Sequence, residues 1–362
     1  MDESDSALQC VLITGGCGCV GRHLVERLRR SEPTCRIHVL DVNTERNRVP
    51  SVTYHTCDIS SLDAVTSVMG EVRPRVVFHT ASPSSQVNLP KLFERVNVFG
   101  TRNLLSSAAG TGTVRALVYT STSAVVHDSV SDLLDADETL PVLWPPVQKR
   151  AYTLTKAIAE ADILAANRKG NETPMLTVSL RPATIFGEYD TVCLGKMVAA
   201  ARQGKMKFQI GRGENLYDFV YVGNLADAHI LAAQALLKAY GRPPLSADTR
   251  IDGEAFNITN EEPVLFWEFS RKVAAAAGHP VQRESVLVIP TFLGIVLAWI
   301  SGIIVWLVTQ GRQQADVTAE GVRMSTIHRT VNGAKARRLL KYRPMVSLDD
   351  GIKRGVDSLL GK

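Results

Sequence analysis

No internal repeat and no low-complexity tract runs through this sequence, and charged residues make up only 21% of its 362 positions. Those absences exclude an intrinsically disordered chain. The length leaves room for one large or two modest domains with a substantial core. Cysteine is scarce and lopsided. Cys10, Cys17, Cys19, Cys35 and Cys57 fall within the first sixty residues, and Cys193 stands alone beyond them. Cys17-Gly18-Cys19 is too closely spaced for the usual zinc pairs and has no matching pair downstream, so no metal site is expected. Buried thiols in a reducing compartment are expected instead. The start, Met1-Asp2-Glu3-Ser4-Asp5-Ser6, is acidic and polar, unlike a secretory signal. The net charge of +5 is uneven: residues 311–362 hold eleven Lys/Arg against five Asp/Glu. No nucleic-acid reading motif accompanies that surplus, so anionic lipid suits it better than nucleic acid.

What is present begins with a strand. Cys10 to Thr14 is a short apolar run, the pattern of a strand buried on both faces. Thr14-Gly15-Gly16-Cys17-Gly18-Cys19-Val20-Gly21 follows at once. Val20 to Arg30 then reads as an amphipathic helix with Val20, Leu24 and Leu28 on one stripe. In that context Gly15 permits a tight turn and Gly18 lets the backbone approach a pyrophosphate. Gly21 lets helix and strand pack closely, and the helix N-terminus favours the anion. A second strand, Arg36 to Leu40, ends in Asp41, where a carboxylate accepts hydrogen bonds from the adenosine ribose and repels a 2′-phosphate. The cofactor expected is therefore NAD rather than NADP.

Apolar β runs go on alternating with helical patterns. Val76 to His79 precedes a helix near Leu92 to Ala109. Ala116 to Tyr119 leads into Thr120-Ser121-Thr122-Ser123, Ala151 to Asn167 is helical, and Leu176 to Leu180 is another strand candidate. The alternation predicts an α/β fold with a doubly wound parallel sheet and ligands at the carboxyl ends of its strands. Tyr152 and Lys156, four residues apart, share a helix face. A tyrosine hydroxyl is a poor base near neutrality. A lysine ammonium and a positive nicotinamide beside it would stabilise the phenolate, which could then accept an alcohol proton while the carbon loses hydride. The preceding hydroxyl cluster can hold the substrate oxygen.

Thr14-Gly15-x-x-Gly18-x-x-Gly21, Tyr152-x-x-x-Lys156 and Leu180-Arg181-Pro182-Ala183-Thr184-Ile185-Phe186-Gly187 resemble an extended short-chain dehydrogenase/reductase. Within that superfamily the chain resembles the 3β-hydroxysteroid dehydrogenase family, especially its decarboxylating sterol-4α-carboxylate 3-dehydrogenases. His79-Thr80-Ala81-Ser82-Pro83, Asn97 to Asn103, Asp218 to Asn224, Gly253 to Asn260 and Ala336 to Pro344 carry the likeness over nearly the whole chain. The resemblance implies Tyr152 as acid/base, Lys156 as its partner and Asn97 as a support for the lysine. It implies Thr122 as the catalytic hydroxyl, with Ser121 or Ser123 as alternatives. Asp58 and Ile59 would lie beside the adenine, with Ala81 and Pro182 completing the cofactor site. Residues 1–185, rejoined by 218–260, would form the Rossmann domain, and 186–217 with 261–362 a smaller substrate lobe.

Val286 to Val308 carries no charge and contains Trp299 and Trp306. By length it could span a bilayer. Pro290, Gly294 and Gly302 interrupt it, and residues 311–362 look like the last piece of the same fold, which a span would strand on the far side. A monotopic segment in one leaflet is expected, with the basic tail at the headgroups; a buried core helix and a true span stay open. The implied reaction oxidises a 3β-hydroxyl on a sterol or triterpenoid acid with a C4 carboxyl, giving a β-keto acid that loses carbon dioxide. Lys149, Arg150 and Arg212 are candidate cations for that carboxylate. Alternatives are 3β-hydroxysteroid dehydrogenation without decarboxylation, with or without isomerisation, a sugar-nucleotide epimerase, and a non-catalytic NAD-binding regulator. The resemblance further implies the cytosolic face of the endoplasmic reticulum, or a lipid droplet. As partners it admits other C4-demethylation enzymes and a homodimer.

Overall fold

The computed structural model describes residues 8–87, 89–169, 174–310 and 317–361. Its main body is a seven-stranded sheet of β1 (Cys10–Thr14), β2 (Arg36–Asp41), β3 (Thr53–Thr56), β4 (Val76–His79), β5 (Ala116–Thr120), β7 (Leu176–Pro182) and β12 (Ala255–Ile258), in the order β12-β7-β5-β4-β1-β2-β3. Every neighbouring pair is parallel. Strands β1, β4, β5 and β7 are buried along their whole length, as a parallel sheet with helices on both faces requires. Helices α1 (Cys19–Ser31) and α7 (Val222–Ala239) cover one face. The other face is covered by α2 (Leu62–Val72), α4 (Gly100–Thr111) and α5 (Ala151–Ala165). This is the expected doubly wound sheet.

Four short strands make a second sheet: β6 (Leu133–Ala136), β10 (Leu216–Tyr217), β13 (Val264–Leu265) and β15 (Arg329–Val331), in the order β13-β10-β15-β6. Two further pairs join β8 (Thr184–Phe186) to β11 (Phe219–Tyr221), and β9 (Phe208–Ile210) to β14 (Leu287–Ile289). Around an aromatic core of Phe186, Phe219 and Phe269 pack α6 (Leu194–Arg202), α8 (Phe266–Ala276) and α12 (Leu348–Leu360). Phe219 stacks on Phe269 with ring centroids 3.7 Å apart.

Two expected elements are different in detail. The helix read near Leu92 to Ala109 is α3 (Pro90–Phe93), a π-helical turn at Glu94–Phe99, and then α4. The π turn is only six residues long and flanked by α-helix, so the overall helical pattern hid it, and such turns are common at functional sites. The uncharged run is not one element either. Its start is β14, and only Thr291–Thr309 is helix α9. Helix α9 buries Gly294 and Ala298, and a Cβ on Gly294 would lie 2.9 Å from the Ile210 side chain and 3.4 Å from Val322. Val322 belongs to α10 (Ala319–Met324), which follows α9, so the chain entering the helix and the chain leaving it meet the same body. Helix α11 (Ala334–Leu339) then leads toward α12.

Candidate active site

The glycine loop joins β1 to α1, and each of its close approaches needs a missing side chain. Gly15 has φ +70°, and a Cβ there would sit 2.7 Å from the Ala81 backbone. At Gly21 it would be 2.4 Å from the Gly15 carbonyl oxygen. A Cβ on Gly18 would meet only that same oxygen, at 3.2 Å, among the described residues beyond its own neighbours and helix, which leaves the loop open on its outer side. Gly18 caps α1 with no side-chain hydrogen bond, so the helix N-terminus faces out bare. Half-buried Asp41 pins the loop by accepting the Cys17 N–H at 3.0 Å, and it accepts the Asn43 N–H at 3.1 Å. An ionised carboxylate has further acceptor positions left for hydroxyls. Cys17 is buried, and burial pushes its thiol up to about 11, well away from reactivity.

Asp58 is braced by Ser60. One of its oxygens takes both the N–H and the hydroxyl of Ser60. Ile59 turns its side chain inward against Gly100, and its carbonyl accepts from Asn103 at 3.1 Å. Ala81 lies against the glycine loop, and Pro182 ends β7. A buried relay crosses from the loop to the π-turn. Thr14 Oγ1 lies 2.7 Å from His79 Nδ1, and His79 Nε2 lies 2.9 Å from Thr101 Oγ1, which donates to the Asn97 carbonyl at 2.5 Å. Burial, with Lys156 nearby, drives the His79 pKa down to about 3, so the ring is neutral. Asn97 donates to Thr155 Oγ1 at 3.1 Å, and its own Oδ1 is buried without a partner among the described residues.

Tyr152 stands in the first turn of α5, its ring edge-on to Phe93 at 5.5 Å. No hydrogen bond holds its hydroxyl among the described residues. Lys156 is one turn on, fully enclosed, donating to the Thr120 carbonyl at 2.5 Å and lying 4.2 Å from the Tyr119 ring centre. Burial brings its ammonium down to about 7, against the pull of Glu160. Burial raises the Tyr152 phenol, and the charges that draw it back are Arg150 and Arg329. Thr122 caps the short 3₁₀ turn Ser123–Val126 by accepting the Ala124 N–H at 3.2 Å and is half-buried. Ser121 and Ser123 are buried, Ser121 Oγ without a partner among the described residues and Ser123 Oγ facing Arg329.

The sequence also left unread how α5 is held. Glu160 and Arg181 form a buried pair with an N–O distance of 2.6 Å, and Ser179 donates to the same carboxylate at 2.8 Å. Glu160 is four residues beyond Lys156, on the same helix face, so the pair fixes the catalytic helix to β7. Of the candidate cations, Lys149 is exposed, Arg150 is bound to Glu320 at 2.7 Å, and Arg212 lines a cavity at the foot of α9 with Thr291 and His328.

The family model for 3-beta hydroxysteroid dehydrogenase/isomerase matches residues 12–289. The chain belongs to that family. Among family relatives it is 37% identical to the decarboxylating sterol-4-alpha-carboxylate 3-dehydrogenase of Saccharomyces cerevisiae, over 96% of this chain and 97% of that one. It is 36% identical to 3beta-hydroxysteroid-dehydrogenase/decarboxylase isoform 1 of Arabidopsis thaliana, over 99% of this chain and 81% of that one. Among solved structures, UDP-glucose 4-epimerase of Thermus thermophilus in complex with NAD superposes with a TM-score of 0.69 at 24% identity, covering 97% of this chain and 99% of that one. UDP-glucose 4-epimerase of Thermotoga maritima superposes with a TM-score of 0.70 at 20% identity, covering 97% and 99%. These structures share the fold with this member of the 3-beta hydroxysteroid dehydrogenase/isomerase family.

Proposed function

We propose that this chain oxidises the 3β-hydroxyl of a sterol or triterpenoid 4-carboxylic acid to the 3-ketone, with NAD as acceptor and loss of the C4 carboxyl as carbon dioxide. The observation that carries the reading is Tyr152, with no described hydrogen bond on its hydroxyl, beside Lys156 and Thr122, in a chain whose near-full-length relatives bear the names of such enzymes. The glycine cradle fits a dinucleotide, since its outer side is open and α1 ends bare there. Gly15, Gly18 and Gly21 would take the pyrophosphate and Asp41 the adenosine ribose. Asp58, Ile59, Ala81 and Pro182 would border the rest. When bound, NAD supplies the hydride acceptor and a positive charge.

The residues then divide the work. Thr122 orients the substrate oxygen, and Tyr152 removes its proton as the C3 hydrogen leaves with its electron pair. The resulting β-keto carboxylate breaks its C4–carboxyl bond, and the electron pair becomes an enolate. That enolate takes back one proton, so the proton held by Tyr152 balances the sequence. Lys156 and Asn97 keep this end of α5 in place. To test it, detergent-solubilised protein is given NAD with a 4α-carboxy-3β-hydroxysterol, and products are read by mass. One ketone lacking the carboxyl per NADH is expected. Oxidation of plain 3β-hydroxysteroids while carboxylated ones are ignored would favour dehydrogenation without decarboxylation. A higher kcat/KM with NADP would sink the role given to Asp41.

Membrane attachment belongs to the same proposal. Helix α9 has a mean hydropathy of 2.4 with 11% of it buried, and eleven large apolar side chains between Phe292 and Val308 are exposed. Leaving half-exposed side chains of that number in water costs on the order of 10 kcal/mol. Immersion in one leaflet, on the cytosolic face of the endoplasmic reticulum, removes that cost and keeps α10 beside β14's end of the helix. Protease should reach tags at both termini equally in sealed microsomes; a protected C-terminal tag would mean a span.

A further inference from the structure

We propose that Arg329 is the specificity-determining cation of this site, the group that receives the substrate's C4 carboxylate. The inference rests on the reaction proposed above and names a residue for it. Arg329 opens β15, the strand between β10 and β6 in the small sheet. From there its guanidinium reaches the catalytic loop: Nη2 lies 3.4 Å from Ser123 Oγ, next to Thr122, and Nη1 donates to the Tyr217 hydroxyl at 3.0 Å. Its Nε is buried with no partner among the described residues.

A guanidinium so placed ordinarily has a carboxylate. None lies within ion-pair distance of Arg329 among the described residues. Asp218, the nearest by backbone, gives its N–H to the Arg329 carbonyl but turns its carboxylate to the Val331 N–H. The contrast with Arg150 decides between the two charges that reach Tyr152. Arg150 is already neutralised by Glu320 at 2.7 Å, whereas Arg329 keeps its charge and an unused donor. A planar fork with free N–H groups matches a carboxylate in a way that a lysine would not. Loss of carbon dioxide removes the anion, so the ketone product leaves without that tie.

The test compares two substrates, a 3β-hydroxysterol with a 4α-carboxyl and the matched sterol without it, in wild type, Arg329→Gln and Arg329→Lys. The readout is the ratio of their kcat/KM values. The ratio should fall roughly 10- to 100-fold in Arg329→Gln, the range for hydrogen bonds to a charged group, with the KM for NAD unchanged. Arg329→Lys should raise KM for the carboxylated sterol several-fold with little change in kcat. Parallel loss on both substrates, leaving the ratio intact, would reduce Arg329 to a scaffold for Tyr217 and overturn the proposal. If Arg329→Gln does not fold, an unaltered KM in Arg329→Lys overturns it equally. A wild type that ignores the carboxylated sterol sinks the substrate reading itself, whereas an unchanged ratio in an enzyme that prefers it sinks only Arg329.

Discussion

Helices α5 and α9 invert each other. Helix α5 encloses charge, with Lys156 at 2% exposure and Glu160 at 1%. Helix α9 shows the solvent its apolar residues, with Trp299 at 62% and Val308 at 78%. Both arrangements cost free energy in water, and each is offset by something specific. Inside, Arg181 and Ser179 compensate Glu160, and the Thr120 carbonyl and Tyr119 ring receive Lys156. Outside, the compensation for α9 has to come from its surroundings, since only Gly294 and Ala298 on the helix are buried. The pair teaches that a helix out of keeping with water marks a place where something other than water is the partner.

The comparison can be broken most severely from the inside. Glu160→Ala strands Arg181 as a buried charge, and loss of about 3–5 kcal/mol is expected, read as a lowered urea midpoint. Tyr152→Phe leaves the packing against Phe93 but removes the proton acceptor. Turnover should fall about 10²-fold or more with NAD binding retained; wild-type turnover would mean another group moves the proton. The buried ammonium sharpens the contrast through pH. The folded-state pKa of Lys156 is depressed to about 7, below the unfolded value, so the unfolded chain holds more protons above pH 7. Stability should therefore gain from this group as pH rises from about 7 toward the ordinary lysine range. Lys156→Met should flatten that rise, and an identical slope in both proteins would contradict it. The smallest effect belongs to α9. Trp299→Ser should weaken binding to anionic vesicles by about 1–2 kcal/mol, the worth of one large apolar contact, while the unfolding midpoint stays put.

How much could be read from sequence follows from how local each feature is. The glycine loop is contiguous, one strand, one turn and one helix, so its spacing alone announced it. Tyr152 and Lys156 are a helical turn apart and equally plain. Arg329 reaches the site only because a three-residue strand lies beside Leu133 and Tyr217, far away in the chain. No periodicity within Arg329–Val331 predicts that. The π-turn around Asn97 was invisible because it changes hydrogen bonding and not composition. Strand β14 hid inside an apolar run, where strand and helix look alike. The Thr120 carbonyl that Lys156 meets was hidden for a related reason: pattern places two residues on one face but says nothing of what each touches.

The place of β15 in the small sheet also sets an order of assembly. Its neighbours on both sides are made long before it, and the sheet cannot close until residue 331 has left the ribosome. Helix α9 emerges earlier. For an interval the nascent chain therefore presents an apolar helix while the strand that completes its site is still unmade, a state exposed to aggregation. A bilayer that takes up α9 at that moment would act as the chain's first folding partner, ahead of β15.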